Sequence, residues 1–345
     1  RSEVMSYNII IGADIGPTKS NIDLFSQGKT EELIGKELKE ILDDSSFTIM
    51  NLEVPLTDQR SEIVKCGPCL SAPTSTISGL KSINPYFFTL ANNHILDQDT
   101  QGLLATMECL EKNEIAFAGA GENIVKAKKT FITRVGGLSI GIYCCAEHEF
   151  SIALENKPGA NPYDPLYSFD DVKSLKENTD IVIVLFHGGK EHYRYPSPEL
   201  RRIFRKFAEV GGDYIIAQHT HCVGCIERYR GSTLVYGQGN FLFDNSDSEF
   251  WKTSVLLEIE IDNGNHSMKT IPCCKKGNVV RLASSDEEIT IMKALDKRSK
   301  EIAQLNFVEK KYQEYARDMR KEYYSRLMGK IGRLFIVRAI NRITN

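Results

Sequence analysis

What most restricts the fold of this chain is a recurring segment of strand length that is apolar from end to end. Such runs fall at 7–11 (YNIII), 47–52 (FTIMNL), 86–91 (YFFTLA), 115–120 (IAFAGA), 139–145 (SIGIYCC), 181–186 (IVIVLF), 214–218 (YIIAQ), 233–237 (TLVYG) and 254–261 (SVLLEIEI). A strand with one wet face alternates apolar and polar residues. Most of these do not, so their strands should be covered on both faces. Amphipathic helical segments lie between them at 29–42, 99–112, 169–177 and 197–210. The last opens on Pro196-Ser197-Pro198-Glu199, a helix-start signal with proline in the first turn. Strands alternating with helices predict an α/β fold. Little helix separates 233–237, 254–261 and 269–273, which predicts an added antiparallel part.

At 345 residues the chain can bury one large core or two ordinary ones. A net charge of −3 favours no class of partner and gives nucleic-acid binding no support. No apolar run approaches the roughly 20 residues that span a bilayer. The segment Arg1–Asn8 leads straight into a strand without a small-residue cleavage site. Nine cysteines, an odd number with two adjacent pairs (Cys144-Cys145 and Cys273-Cys274), read as reduced thiols of a cytoplasmic protein. The character of the chain changes near residue 284, which divides it into 1–283 and a helical extension over 284–345. Within that extension 306–345 carries ten basic and four acidic side chains, and RLMGKIGRLFIVRAINRI (326–343) is basic and amphipathic. Such a helix either docks on an anionic membrane surface or a partner, or packs on the domain with its charges in water.

The chemistry is written at the strand ends. Run after run stops at a side chain able to bind a metal or a phosphate: Asp14; Asn51 and Glu53; Asn92, Asn93 and His94; His187; His219 and His221; Asn240. In α/β folds the carboxyl ends of the strands form the ligand crevice, so groups scattered along the sequence should converge. Four of the seven histidines stand at such ends. One alone would be an ordinary loop or core histidine, but four at successive strand ends are hard to place by chance. Carboxylate, amide and imidazole together suit one or two divalent transition ions such as Mn, Zn or Fe better than Mg or Ca. An ion of that kind makes hydroxide available at neutral pH and offsets charge on phosphoryl oxygens. Lys19, Lys190 and Arg194 lie close in sequence to these motifs and could hold an anionic substrate, or be solvated surface charges.

The order of these motifs resembles the calcineurin-like metallophosphoesterases, and more closely the CapA family named for bacterial capsule and poly-γ-glutamate biosynthesis. The resembling segments run from GADIGPT through NLEVPLTD, TLANNHILD, LFHGGKEH and YIIAQHTH to YGQGNFLFD, over about residues 8–245. The resemblance implies an α/β/β/α sandwich of mixed sheets over 1–283. It makes Asp14 and His221 ligands of one ion, Asn93, His187 and His219 ligands of a second, and Glu53 the bridge between them. His94 takes the place of a general acid, oriented by Asp97, with Asn92 and Asn240 near the substrate. Two departures stand out. The early Asp-x-His motif reads Asp14-Ile15-Gly16, which removes an imidazole, and Gln218 stands where a glycine precedes His219. Asn240 could compensate at the first ion, or serve as a structural turn residue.

Other motifs carry less. Cys66-Gly67-Pro68-Cys69 matches a redox dithiol, but no strand runs into it and no helix follows. Cys222 and Cys225 could join Cys66 and Cys69 in a four-thiolate zinc site, although small buried thiols fit them better. Two functions follow: a metal-dependent hydrolase of a phosphoester, or of another ester or amide bond in an envelope polymer or its precursor, and a non-catalytic component of a capsule or polyglutamate assembly machine. Either would meet an anionic small molecule or polymer, and the basic tail allows a membrane-associated location.

Overall fold

The computed structural model describes residues 7–244 and 246–343, of which 327–343 are given as a backbone path. Residues 1–6 are outside the described residues, as are the side chains of nearly all the basic stretch 326–343.

Strands β1 (Tyr7–Ile15), β2 (Phe47–Leu52), β3 (Phe87–Thr89) and β4 (Ala116–Ala118) come first, followed by the two-residue β5 (Ala120–Gly121). A hairpin of β6 (Phe131–Val135) and β7 (Leu138–Ala146) precedes β8 (Gly159–Ala160), which pairs with β5. Then come β9 (Ile181–His187), β10 (Tyr214–Gln218), β11 (Ile226–Tyr229) and β12 (Ser232–Val235), and finally β13 (Thr253–Asp262), β14 (Asn265–Lys276) and β15 (Val279–Leu282). One seven-stranded sheet has the order β15-β14-β13-β1-β2-β3-β4, and a six-stranded sheet has β11-β12-β10-β9-β7-β6. In the first, β1 to β4 are parallel and β13 to β15 are added antiparallel. In the second, β7, β9, β10 and β12 are parallel between antiparallel edges.

The all-apolar runs are buried on both faces, as expected of strands inside a layered sandwich. Every residue of β2, β9 and β10 is buried. Along β9 the side chains divide with period two. Ile181, Ile183 and Leu185 enter the core shared with the first sheet. Val182, Val184 and Phe186 enter a separate core with Val172 and Leu175 of the helix Ser168–Glu177 and Leu200, Phe204 and Phe207 of Pro198–Glu209. Each of these side chains contributes roughly 1.5–3 kcal/mol by leaving water. Helices Lys36–Asp43 and Asp99–Lys112 cover the first sheet through Leu38, Leu42, Leu103 and Leu110. The result is an α/β/β/α sandwich of two mixed sheets. The helix Ser285–Glu301 packs on it through Ile291 and Leu295, and Val308 anchors the start of Phe307–Ile343. No helix among the described residues is long and apolar enough to cross a membrane.

Two elements differ from expectation. The helix expected over 29–42 is broken into a 3-10 turn over Thr30–Glu32 and an α-helix from Lys36, because Leu33 and Gly35 between them exchange backbone hydrogen bonds with Val280 of β15. The run at 233–237 is not part of the antiparallel addition. It pairs parallel to β10 in the second sheet, because β11 turns the chain back first.

Candidate metal centre

The carboxyl ends of β1, β2, β9 and β10 meet where the two sheets face each other. Backbone bonds from Phe241 to the Asp14 carbonyl (3.0 Å) and from Gly16 to the Leu242 carbonyl (2.8 Å) tie the loop after β12 to the end of β1. This brings Asp14, Glu53, His187, His219 and His221 into one buried cluster. Ligand atoms of Asp14, Glu53 and His187 lie within 4.8 Å of one another, as do those of Glu53, His219 and His221. Glu53 is common to both groups.

The family resemblance divides the same residues differently from these two groups, placing Asp14 with His221 and Asn93 with His187 and His219, and each of those halves has its own supports. In the first, Asp14 accepts from Asn51 Nδ2 (2.8 Å) and from the His219 N–H (3.2 Å), with His221 Nδ1 at 3.4 Å. His221 Nδ1 also lies 2.7 Å from Asn240 Oδ1. In the second, His187 Nε2 stands 3.3 Å from Glu53 Oε1 and 3.0 Å from Asn93 Oδ1. His187 and His219 meet edge-on with ring centroids 4.9 Å apart. Both histidines of the Gln-His-Thr-His turn have left-handed backbones, φ 90° at His219 and 53° at His221. Non-glycine residues adopt that conformation at a cost of about 1–3 kcal/mol, and such strain gathers at functional sites.

The charge state points to a cation. Both oxygens of fully buried Glu53 lack a hydrogen-bond partner, and so does Nδ1 of His219. A buried acceptor left bare costs about 1–3 kcal/mol, so three in one cluster fit a group that binds ions. Burial opposes charging His221, yet the Glu53 charge, the hydrogen bond and charge of Asp14, and Asn240 lift it to about 9. Burial likewise raises the Asp14 carboxyl, but His221, His187 and Asn51 bring it down to about 2. His219, facing the other imidazoles, is driven well below its usual value by burial and by the charges of His187 and His221. Oxygen and nitrogen donors around unsatisfied carboxylates suit a divalent ion, and the residues present fit one.

The remaining expected residues fall into three places. Asn92 shapes the turn, donating to the Leu52 carbonyl (2.8 Å) and to Asn51 Oδ1 (3.2 Å) while accepting from the His94 N–H (3.1 Å). His94 Nδ1 lies 2.6 Å from Asp97 Oδ2. Lys19 is exposed and lines a groove with Arg60 and Pro73. Arg194 donates to the Val223 carbonyl and lies over Phe250, and Lys190 is exposed. At position 16 a Cβ would stand 2.7 Å from the Phe243 ring, so an aromatic side chain fills the space where the related motif carries its imidazole. Gln218 donates to the Gly12 carbonyl of β1 (3.3 Å). All nine cysteines are free, and no group of thiolates suited to a metal occurs among the described residues, so the four-cysteine zinc site does not form.

Lys65 and Glu149 had escaped the sequence reading, and Asn51, named there only as a strand-end residue, gains a role. Asn51 holds Asp14 and lies 3.3 Å from His187 Nδ1. The buried ammonium of Lys65 pairs with Asp97 and lies 3.2 Å from His94 Nδ1. Glu149, beyond the end of β7, accepts from Asn93 Nδ2 (2.9 Å) and stands 3.8 Å from His219 Nε2. The rule that strand ends carry the chemistry, applied to SIGIYCC, points to the segment after β7 without singling out Glu149 from Glu147.

Comparison with known proteins agrees with this geometry. A family model described as bacterial capsule synthesis protein PGA_cap matches residues 13–245. The chain is 28% identical over 256 residues to the PGA biosynthesis protein CapA of Bacillus subtilis, covering 73% of this chain and 67% of that one. It is 26% identical to the capsule biosynthesis protein CapA of Bacillus anthracis, over 70% of this chain and 61% of that one. Among solved structures, a phosphatase of Mycoplasma pneumoniae superposes with a TM-score of 0.50 at 16% identity, over 79% of this chain and 95% of its own. A hypothetical protein of Thermus thermophilus also gives 0.50, at 13% identity, over 78% of this chain and all of its own. At such identities the likeness is one of fold. The chain belongs to the PGA_cap family of bacterial capsule synthesis proteins, and carries its strand-end cluster on a phosphoesterase-like fold.

Proposed function

We propose that this chain is a metal-dependent hydrolase, phosphoesterase-like in chemistry, that acts on an anionic polymer or precursor in capsule or poly-γ-glutamate synthesis. The observation that carries the reading is Glu53, a fully buried carboxylate common to both ligand groups, whose oxygens lack a hydrogen-bond partner and have the His187 imidazole at 3.3 Å from one of them. Asp14, His221 and Glu53 would hold one divalent ion, Mn, Zn or Fe, and Glu53, Asn93, His187 and His219 another. Such an ion supplies Lewis acidity, offsetting charge that builds on phosphoryl or carbonyl oxygens and acidifying water at neutral pH.

The chain's own groups do the rest. With Nδ1 of His94 engaged by Asp97, Nε2 is the ring atom left to pass a proton to a leaving oxygen. Lys65 balances the buried Asp97 charge, which keeps that carboxylate from standing unpaired. The family's place in capsule synthesis supplies the substrate class, an anionic polymer or its precursor.

A second reading rests on one specific feature. Phe243 occupies the space of the absent imidazole at Gly16, which weakens the first ion position and suits a non-catalytic assembly component. Its basic C-terminal helix would then dock on an anionic membrane surface or a partner. Purified protein incubated with Mn²⁺ or Zn²⁺ and assayed on phosphomonoesters and phosphodiesters separates the two. Turnover abolished by His187→Ala and His219→Ala supports the hydrolase. Metal-free, inert protein supports assembly.

A further inference from the structure

We propose that Glu149 is a positioning residue of the metal centre, one carboxylate that orients two ligands, Asn93 and His219, from behind. The inference rests on the metal-binding reading above and goes beyond its ligand set.

A histidine ligand uses one ring nitrogen and presents the other N–H to an acceptor, which fixes the tautomer. At His219 the two nitrogens have distinct surroundings. Nδ1 is buried without a partner, whereas Nε2 lies 3.8 Å from Glu149 Oε1. A carboxylate on the Nε2 side draws the proton there and leaves the Nδ1 lone pair for an ion. Asn93 is sorted in the same way. Its Nδ2 donates to Glu149 Oε2 at 2.9 Å, so Oδ1 turns inward to within 3.0 Å of His187 Nε2. Amide oxygen and imidazole nitrogen thereby face the same interior.

The loop bearing Glu149 is fastened to the elements that carry those ligands. The Glu147 N–H donates to the His187 carbonyl (3.0 Å), and the Ser151 hydroxyl donates to the Asn93 carbonyl (2.6 Å). Glu149 thus stands between two anchors, one on the second sheet and one on the turn after β3. Together with Glu147, Asn93, His187, Gly188 and His219 it lines one narrow crevice. Position, fixed backbone, a hydrogen bond from Asn93 on Oε2 and the His219 Nε2 atom 3.8 Å from Oε1 give the carboxylate an orienting task.

Glu149→Gln tests the idea with little disturbance of shape, since the side chain is 35% exposed. The new amide can still accept from Asn93, but it turns a donor toward His219 Nε2 and favours the wrong tautomer. Zn²⁺ and Mn²⁺ affinities of the full chain would be measured by competition with a chromophoric chelator, beside Glu149→Ala and the exposed control Glu155→Gln. The expected result is a loss of about 10- to 100-fold in affinity for both Glu149 variants. Unfolding of the metal-free protein should be unchanged and the control should match wild type. The visible spectrum of the Co²⁺-loaded protein should change in Glu149→Gln, as altered ligand geometry requires. Wild-type affinity in both variants overturns the role of Glu149 while leaving the hydrolase reading intact. A wild-type chain that binds neither ion overturns both.

Discussion

The two halves of the cluster share Glu53 and differ in almost everything else. The first is built on Asp14 and His221, with Asn240 against the imidazole and the Phe243 ring filling the space beside Gly16. The second gathers Asn93, His187 and His219, and Glu149 grips two of them from outside. One half has exchanged a ligand for packing, whereas the other has gained an outer support. Glu53 is not their sole link, because one turn after β10 carries His219 and His221, the His219 N–H donates to Asp14, and Asn51 touches both Asp14 and His187. The account expects a strong second position and a weak first.

The largest effect belongs to the shared residue. Glu53→Gln should abolish the metal-induced rise in thermal stability, which for wild type reaches about 2.7 kcal/mol at a hundred times the dissociation constant. A melt recorded with and without Mn²⁺ reads this directly, and an undiminished shift would deny Glu53 its place. Next, His187→Ala should lose the tighter ion by more than the roughly 100-fold typical of an outer partner, while His221→Ala leaves it bound. Equal losses in chelator competition would erase the asymmetry.

A third difference lies in pH. The folded pKa of His221, about 9, stands above its ordinary value, so the proton is retained until the pH rises through 9. An ion entering the first position must displace that proton. Affinity there should climb by about tenfold per pH unit up to that point. Stability that the protonated His221 lends the metal-free fold is fully present below its ordinary pKa and lost as pH rises through about 9. His219 is held well below its usual value and sets no such requirement at the second position. Isothermal titration run from the ordinary histidine pKa of about 6.5 up to about 9 would show a flat first position if this is mistaken. The smallest effect is at Gly16. Gly16→Ala should destabilise the fold by about 1–3 kcal/mol, because its Cβ meets the Phe243 ring at 2.7 Å. Denaturant unfolding without loss would mean that the ring moves aside freely.

Much of this was legible in the sequence because burial on both faces leaves a plain signature. Strands such as IVIVLF and YIIAQ appear where the runs predict them, and Asp14, Glu53, His187, His219 and His221 sit at their ends. Edge strands were less visible. β6 alternates (FITRV) and β11 is mostly polar, so neither has an apolar run. Lys65 and Glu149 were hidden for another reason. Each reaches the site from a loop whose path depends on tertiary contacts, Lys65 through Asp97 and Glu149 through Asn93. Lys19 and Arg194 were chosen for nearness in sequence; Lys19 lines a groove with Arg60 and Pro73, and Arg194 donates to the Val223 carbonyl.

The most direct measurement is the anomalous scattering of a crystal of this protein soaked in Mn²⁺. The account predicts a strong peak enclosed by Glu53, Asn93, His187 and His219, with a weaker one or none beside Asp14 and His221. An empty map at Glu53, or a peak only at the cysteines, would contradict it.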